Sequence, residues 1–409
     1  MKRRPLLRTT YAADTALFPS TTQKVAMACL GVGAVLAVLG KLPFVRYLGT
    51  SEWGLVLCEV LIFAIGALGL NILIGLGGQV SLGHAFFAGI GAYTAVVLGG
   101  RGTADLWGLG LPIWIWLPAA GVVAALFGVA VSPIAVRLRG LYLAIVTLGL
   151  VFLGSHLFNN LKDIAGSPGV GREWPKMDLR LWKEEQPLLD LTNSGNWFGL
   201  NVTGIQKQVL ALLFLTALLA FAARNIARTR VGRALAAIRD RDIAAEVMGV
   251  AEARYKLIAF GLSSFYAGVA GALLGAVFQN LTPDAWNLAI SIEFVAILII
   301  GGAGTVTGTL LGAMFVVASE QVIRELTELL SQKAAGSGPF HAIADFIVSQ
   351  GTDFGLISLS PTGNGLSIFQ FNQLFYGLLL VVFMLAEPLG LYGIWVRIRA
   401  YWKGWPFTY

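Results

Sequence analysis

Ten runs of apolar residues, most of them long enough to cross a lipid bilayer, constrain this chain more than any other feature. A membrane-spanning helix needs about 20 consecutive, mainly apolar residues. The chain is 56% apolar and only 12% charged, whereas a soluble domain carries about 25% charged residues. We therefore predict an all-α fold, a polytopic membrane bundle of about ten transmembrane helices. The predicted spans are 25–43, 53–75, 84–99, 112–135, 140–158, 207–223, 257–278, 288–301, 308–325 and 369–391.

The distribution of positive charge predicts the orientation. Cytoplasmic segments of membrane proteins are enriched in Lys and Arg. If both termini are cytoplasmic, 18 of the 29 Lys and Arg residues lie on the inner side. We therefore predict a cytoplasmic tail at 1–24, a single transmembrane domain at 25–395 and a second cytoplasmic tail at 396–409. The predicted outer loops, 159–207 and 326–368, either receive an extracytoplasmic partner or pack over the outer mouth.

Residues 224–256, between the sixth and seventh spans, form a basic segment that we name the docking loop. It contains twice as many basic as acidic residues, so it is predicted to be cytoplasmic. Its Ala, Arg, Leu and Glu residues favour helix. Asp240 or Asp242 can cap a short helix there, and Gly249 can end it in a left-handed conformation. The pattern favours a surface that binds a soluble partner over a solvated amphipathic linker.

Glycine interrupts the apolar pattern after the second span, at a segment that we name the glycine break (75–83). Irregular backbone at membrane depth is tolerated only where protein buries it or where it lines a watery cavity, and broken helices often line the path in transporters. Two interpretations stay open, a structural turn and a lining of the path. A second element, the glycine turn (301–307), has a similar pattern, which is either a short parallel repeat or a coincidence.

Two carboxylates lie within predicted spans, Glu59 in the second and Glu293 in the eighth. Charged residues in a membrane helix are costly and by default mark a pathway. Each carboxylate either holds a substrate amino group or is satisfied by snorkelling, protonation or a bond from a neighbouring helix. The candidate residues for a translocation path are Glu59, Asn71, Gln79, Ser81, His84, Tyr93 and Glu293.

The sequence contains no recognisable catalytic apparatus. It has no H-E-x-x-H, G-x-S-x-G or C-x-x-C motif and no phosphate loop of the form G-x-x-x-x-G-K-[ST]. The two cysteines, Cys29 and Cys58, both fall in apolar runs. We therefore expect no catalytic residues, no metal, no cofactor and no nucleic-acid partner. Any ATP that drives this chain must be hydrolysed by another polypeptide.

Three segments together resemble the M-type permease subunit of the branched-chain amino-acid importers, within the ATP-binding-cassette class. They are LGLNILIGLGGQVSLGHAFFAGIGAY at 68–93, VGRALAAIRDRDIAAEVMGVAEARYKLIAF at 231–260 and SIEFVAILIIGGAGTVTG at 291–308. In the wider importer class the docking loop carries Glu-Ala-Ala, a gap of three residues, and Gly. Here Ala244, Ala245 and Gly249 match that spacing, but Ile243 occupies the Glu position.

The resemblance implies a type II importer permease in a bacterial inner membrane. Its expected partners are a homologous H-type permease, two cytoplasmic ATPase subunits, an extracytoplasmic binding protein and the lipid bilayer. Ala244, Ala245 and Met248 would line one face of the docking helix. Branched-chain amino acids are the expected substrates, with urea or short amides as alternatives; an ion-driven transporter or channel is the alternative of another class. The residues predicted to couple to the ATPases are Arg239, Asp240, Arg241, Asp242, Ala244, Ala245, Glu246, Met248 and Gly249.

Overall fold

A computed structural model gives the fold for most of the chain. It describes residues 21–41, 50–102, 106–138, 140–166, 172–180, 187, 189–197, 200–279, 282–334, 348–349, 357–358, 366–387 and 389–404. The helices are α1 Thr21–Val38, α2 Ser51–Leu70, α3 His84–Gly99, α4 Ile113–Arg137, α5 Leu141–Asn160, α6 Lys162–Ala165, α7 Gly204–Arg228, α8 Arg230–Asp240, α9 Asp242–Val247, α10 Glu252–Phe278, α11 Leu288–Gly301, α12 Val306–Ala334, α13 Ile368–Ala386 and α14 Gly390–Gly404. The strands are β1 Asp178–Leu179, β2 Leu189–Asp190, β3 Gly195–Trp197, β4 Leu200–Val202, β5 Val348–Ser349, β6 Ile357–Ser358 and β7 Leu366–Ser367.

The helices confirm a multi-pass membrane bundle. Within the described ranges, seven helical stretches are long and apolar enough to cross a bilayer, and His84–Gly99 is a shorter apolar helix. Helices α1 and α13 overlap the first and last predicted spans. The third and eighth spans have the predicted bounds, since α3 is His84–Gly99 and α11 is Leu288–Gly301. Which face is cytoplasmic stays a prediction.

Several predicted boundaries are wrong near the C-terminus. Helix α12 continues to Ala334, so the first part of the predicted outer loop 326–368 is helical. The predicted span 369–391 is instead two helices, because α13 ends at Ala386 and α14 begins at Gly390. The sequence has a proline at 388, which disfavours helix in the residue before it. Helix α14 also crosses the predicted boundary between the membrane domain and the tail at 396.

Helix α10 lies at the centre of the bundle, packed against α2, α3 and α4. Small residues line these contacts. A Cβ on Gly91 of α3 would collide with the backbone of Gly268, and one on Gly271 would collide with the backbone of Ala88. Close backbone approach through small residues is how membrane helices gain packing contacts without a hydrophobic driving force. Helices α3 and α10 are therefore in close backbone contact where these residues meet.

The strands lie in the two predicted outer loops. Strand β1 pairs antiparallel with β2, β3 pairs antiparallel with β4, and β5, β6 and β7 form a parallel three-stranded sheet. In the first outer loop, the Trp174 ring occupies a notch at Gly275, where a Cβ would overlap it. Gln279, just after α10, donates from Nε2 to the Pro175 carbonyl at 3.3 Å. Part of the loop thus packs over the end of α10, although these contacts leave room for a partner elsewhere on it.

Candidate coupling and translocation site

The glycine break is joined directly to the glycine turn. Helix α2 passes at Asn71 into a wider π-helical stretch, Asn71–Leu76, a local widening that often marks functional sites. The Asn71 side chain is buried, and its Oδ1 accepts from the Gly304 N–H at 2.7 Å. A Cβ on Gly75 would lie 2.5 Å from the Gly304 nitrogen. Glycine at 75 is therefore required for the close approach of the two segments.

Arg239, at the end of α8, connects the docking loop to this contact. Its Nη1 donates to the Gly75 carbonyl at 2.8 Å, and its Nε and Nη2 donate to Asp240 Oδ1 at 3.2 and 3.1 Å. Its side chain also lies against Gly78, which has φ +65° and no room for a Cβ. The docking loop, the glycine break and the glycine turn consequently converge around one guanidinium group.

The short helix α9 presents an exposed apolar patch. The exposed fractions of Ile243, Val247 and Met248 are 68%, 82% and 83%. Large exposed apolar patches on otherwise polar surfaces indicate interaction sites. Among the predicted coupling residues, Ala244 and Glu246 are also exposed, whereas Ala245 is buried. The predicted shared face of Ala244, Ala245 and Met248 is therefore wrong for Ala245, whose side chain points into the fold.

The ends of α9 are stabilised locally. Arg241 is the N-cap residue, and Asp242, the first residue of the helix, accepts from the Ile243 N–H at 2.8 Å. The helix ends with the Val250 N–H donating to the Ala245 carbonyl at 3.0 Å and with Gly249 at φ +84°. This confirms the left-handed termination predicted for Gly249, a conformation that glycine adopts without steric cost.

A buried ion pair lies at the start of α10, where the docking loop ends. Lys256 Nζ lies 2.5 Å from Glu252 Oε1 in the first turns of α10, and both side chains are largely inaccessible to solvent. Breaking a buried pair by removing one partner leaves an uncompensated charge. The pair therefore stabilises the first turns of α10.

Three of the predicted path residues have local partners in the packed interior. The His84 Nε2–H donates to the Gly66 carbonyl oxygen, at 2.8 Å between the heavy atoms. The His84 ring also contacts the Phe294 ring edge-on, with 4.8 Å between the ring centroids. Ser81 accepts from the Gly83 N–H at 3.3 Å. Tyr93 packs against the rings of Phe158 and Trp174. These contacts favour the structural interpretation for all three residues.

Gln79 differs from these residues. Its side chain is only 5% exposed, yet within the described part of the chain neither amide atom has a hydrogen-bond partner. It lines a recess of about 240 Å³ beside Arg239. Buried amides are nearly always hydrogen-bonded. Gln79 is therefore, together with the Tyr93 hydroxyl, a predicted path residue whose polar atoms the described part of the fold leaves unsatisfied.

The two predicted carboxylates lie together, apart from the glycine break. Glu293 interacts electrostatically with Glu59, and both interact with Glu320 of α12. Arg324 Nη2 bonds to Glu320 Oε1 at 2.5 Å and also acts on Glu59. At 1.5 Å per residue, the group lies about 18 Å along α2 from Asn71. We name Glu59, Glu293, Glu320 and Arg324 the carboxylate cluster.

Glu320 was missing from the predicted site. It lies in the predicted span 308–325, so an ionisable residue within an apolar run was the signal that identifies it. The structure thus distributes the predicted residues among the junction around Arg239, the surface of α9, the packed interior and the carboxylate cluster. In the ranges that the structure describes, no group of three His, Cys, Asp or Glu side chains is placed to hold a metal ion.

Comparison with known proteins gives the same assignment as the sequence motifs. The model of the family described as "Branched-chain amino acid transport system / permease component" matches residues 54–385. The high-affinity branched-chain amino acid transport system permease protein LivM of Escherichia coli is 33% identical over 300 residues, 72% of this chain and 68% of the relative. LivM of Salmonella typhimurium is 33% identical over 304 residues, with the same coverage of each chain.

The chain is also similar to the second permease protein of that transport system. LivH of Escherichia coli is 25% identical over 258 residues, 62% of this chain and 78% of the relative. No solved structure matches the chain significantly.

Proposed function

The chain belongs to the family of branched-chain amino acid transport system permease components, and we propose that it imports branched-chain amino acids with energy supplied by separate ATPase chains. It performs no chemistry itself in this proposal. It forms one half of the path, and a LivH-type permease forms the other half. The similarity to both LivM and LivH, whose names assign them to one kind of transport system, supports a pair of related permeases.

The exposed patch on α9 is the observation that carries the proposal. Ile243, Val247 and Met248 project from a segment that is otherwise rich in charge. A patch of this kind suits a shallow groove on a soluble partner, with apolar residues at its centre and charges at its rim. We assign that partner as an ATPase subunit, because the chain lacks a phosphate loop.

Arg239 then transmits the movement of the docking loop to the membrane. A displacement of α8 and α9 pulls on the Gly75 carbonyl through the guanidinium bond. The Asn71 bond to Gly304 carries the same displacement to the glycine turn. Two segments with irregular backbone therefore move with one side chain, and they adjoin α2, α11 and α12, which carry the carboxylate cluster.

The carboxylate cluster supplies the chemistry for an amino-acid substrate. Glu59 and Glu293 are suited to the ammonium group, and Arg324 is suited to the carboxylate. An extracytoplasmic binding protein would deliver the amino acid on this side of the bundle. Polar groups within membrane helices commonly mark such pathways.

Reconstitution tests the proposal. The chain, a LivH-type permease, the two ATPases and the binding protein are assembled in proteoliposomes, and uptake of labelled leucine is measured. We expect uptake only with hydrolysable ATP and the binding protein. Uptake driven by an ion gradient without ATPase subunits would instead assign the chain to the secondary transporters.

A further inference from the structure

A polar recess of about 240 Å³ lies between the glycine break and the docking loop. One side is backbone of the break, Gly77 and Gly78, and the opposite side is the end of α8 and the start of α9. A single water needs only about 10–15 Å³ of such space, so the recess has room for a solute the size of a single amino acid.

Gln79 is the polar side chain of the recess that has no protein partner among the described residues. Its amide offers donors and an acceptor, and both heavy atoms are buried without a partner in the described chain. A buried amide left unpaired destabilises a fold, and the other polar residues of the glycine break, Ser81 and His84, do have hydrogen-bonding partners. The recess therefore suits a ligand that both donates and accepts hydrogen bonds.

The remaining walls define the chemistry of that ligand. Charges of both signs line the recess, with Arg241 and Lys256 on the positive side and Asp240, Asp242 and Glu252 on the negative side. Leu138, Leu143 and Ile238 add an aliphatic wall. Gly140 also lines the recess, and among the described residues apart from its chain neighbours a Cβ built there would meet no atom within 4 Å. Lys256 and Glu252 are paired with each other, which leaves Arg241 as the cation and Asp240 and Asp242 as the acids nearest to a ligand. A zwitterion with an aliphatic side chain matches these walls.

We propose that this recess is a second amino-acid site, reached from the side of the docking loop and separate from the carboxylate cluster. An occupant bonded to Gln79 bridges the glycine break and the α8–α9 junction, and it restrains the movement that Arg239 transmits. Accumulated amino acid thereby slows its own import. This inference rests on the proposed function, which identifies the ligand as an amino acid and the docking-loop side as cytoplasmic.

Inhibition by leucine on the docking-loop side tests the proposal. The rate of ATP hydrolysis by the full complex in nanodiscs is measured with a fixed amount of leucine-loaded binding protein while the concentration of free leucine is increased. The rate of each variant is compared with the rate of the same variant before leucine is added. We expect leucine to inhibit the unmodified complex. Gln79→Leu, which keeps size and loses the hydrogen bonds, should raise the half-inhibitory concentration at least tenfold. Leu138→Phe, which narrows the recess, should do the same, whereas Glu328→Gln, which changes an exposed carboxylate of α12, should leave it unchanged.

A direct binding measurement distinguishes failure of the second site from failure of the proposed function. Equilibrium binding of labelled leucine to the permease pair without binding protein should be saturable and should weaken at least tenfold in Gln79→Leu. Absence of such binding, or inhibition equal in all variants, would overturn the second site. Uptake of leucine into liposomes prepared without internal leucine is measured separately. If uptake occurs but the second site fails its test, the proposed function still stands. If no uptake occurs, both the proposed function and the second site are rejected.

Discussion

Arg239 Nη1 donates to the main-chain carbonyl of Gly75 at 2.8 Å, across 164 positions of sequence. The same guanidinium bonds to Asp240, so it uses several of its donors at once. Arginine has five N–H donors in a planar fork, whereas lysine is a point charge on a flexible stem. The junction consequently depends on the shape of the group as well as its charge.

Replacing Arg239 should separate ATP hydrolysis from transport. Loss of a hydrogen bond from a charged group costs about 1.5–3 kcal/mol, and each 1.4 kcal/mol is about a factor of ten. In Arg239→Gln we expect uptake per ATP hydrolysed to fall roughly tenfold or more, with Arg239→Lys recovering part of it. Arg233→Gln is the matched control, because Arg233 bonds within the docking loop to the Arg228 carbonyl. An unchanged ratio in Arg239→Gln would show that the junction does not carry the movement.

Adding a methyl group at Gly75 should force apart the glycine break and the glycine turn. The Cβ would lie 2.5 Å from the Gly304 nitrogen, and overpacking of this kind costs about 1–3 kcal/mol. We expect Gly75→Ala to lower the denaturation temperature in detergent and to impair uptake. Gly149→Ala is the control in α5, where a Cβ meets nothing within 4 Å; equal stability of the two variants would contradict the close contact.

A charge on the exposed face of α9 should prevent docking. Val247 is 82% exposed, so Val247→Asp leaves the fold intact, while burial of the carboxylate against a partner costs roughly 2 kcal/mol or more. We expect binding of the purified ATPase to the permease pair to weaken about thirtyfold or more. Val247→Ile keeps an apolar side chain and should retain binding. Full ATPase affinity in Val247→Asp would place the docking surface elsewhere.

Neutralising one member of the carboxylate cluster should weaken transport without preventing docking. In Glu293→Gln the ammonium group of a substrate loses a charged partner, worth about 1.5–3 kcal/mol. We expect uptake to fall about tenfold or more, with ATPase binding unchanged. Glu328→Gln changes an exposed carboxylate further along the same side of α12 and is the control. Equal uptake in both variants would remove Glu293 from the path.

Acid should loosen the outer segment around Asp190. The pKa of Asp190 is lowered below the ordinary value of 3.8, chiefly by a hydrogen bond from the Asn193 N–H. Hydrogen bonds from the Asn193 side chain and the Thr192 N–H and the positive charge of Lys207 lower it further. A lowered pKa in the folded state gives stability that is present above the unfolded pKa and is lost as pH falls through the folded pKa. Hydrogen exchange in 189–207 should therefore accelerate below pH 3.8. Asp190→Asn should abolish most of that pH dependence; an unaltered profile would contradict the assignment.

Features set by local composition could be predicted from the sequence. Apolar length located a helix in each of the ten predicted spans. The bounds of α3 and α11 were correct because glycine and polar residues adjoin both. The helix end at Gly249 was also predicted correctly, because few residues other than glycine end a helix with positive φ. The sequence contains a proline at 388, but the prediction did not include the break that divides the tenth span into α13 and α14.

Features that depend on distant packing could not be predicted. The bond from Arg239 to Gly75 joins segments separated by four long helices, and no local pattern encodes it. Burial of Ala245 depends on how α9 rests on its neighbours, which helical spacing alone leaves open. The meeting of Glu59, Glu293 and Glu320 likewise requires knowing which faces of α2, α11 and α12 are turned toward one another.

The backbone-to-backbone contacts of α10 give the molecule a stiff lever. A helix of 27 residues is about 40 Å long at 1.5 Å per residue, so tilting it by about 5° about one end moves the other end by roughly 3–4 Å. Because α3 is in backbone contact with α10 at Gly91 and Gly271, a tilt of one helix carries the other with it. A small tilt about Glu252 would thus displace Gln279, which bonds to Pro175 of the 159–207 segment.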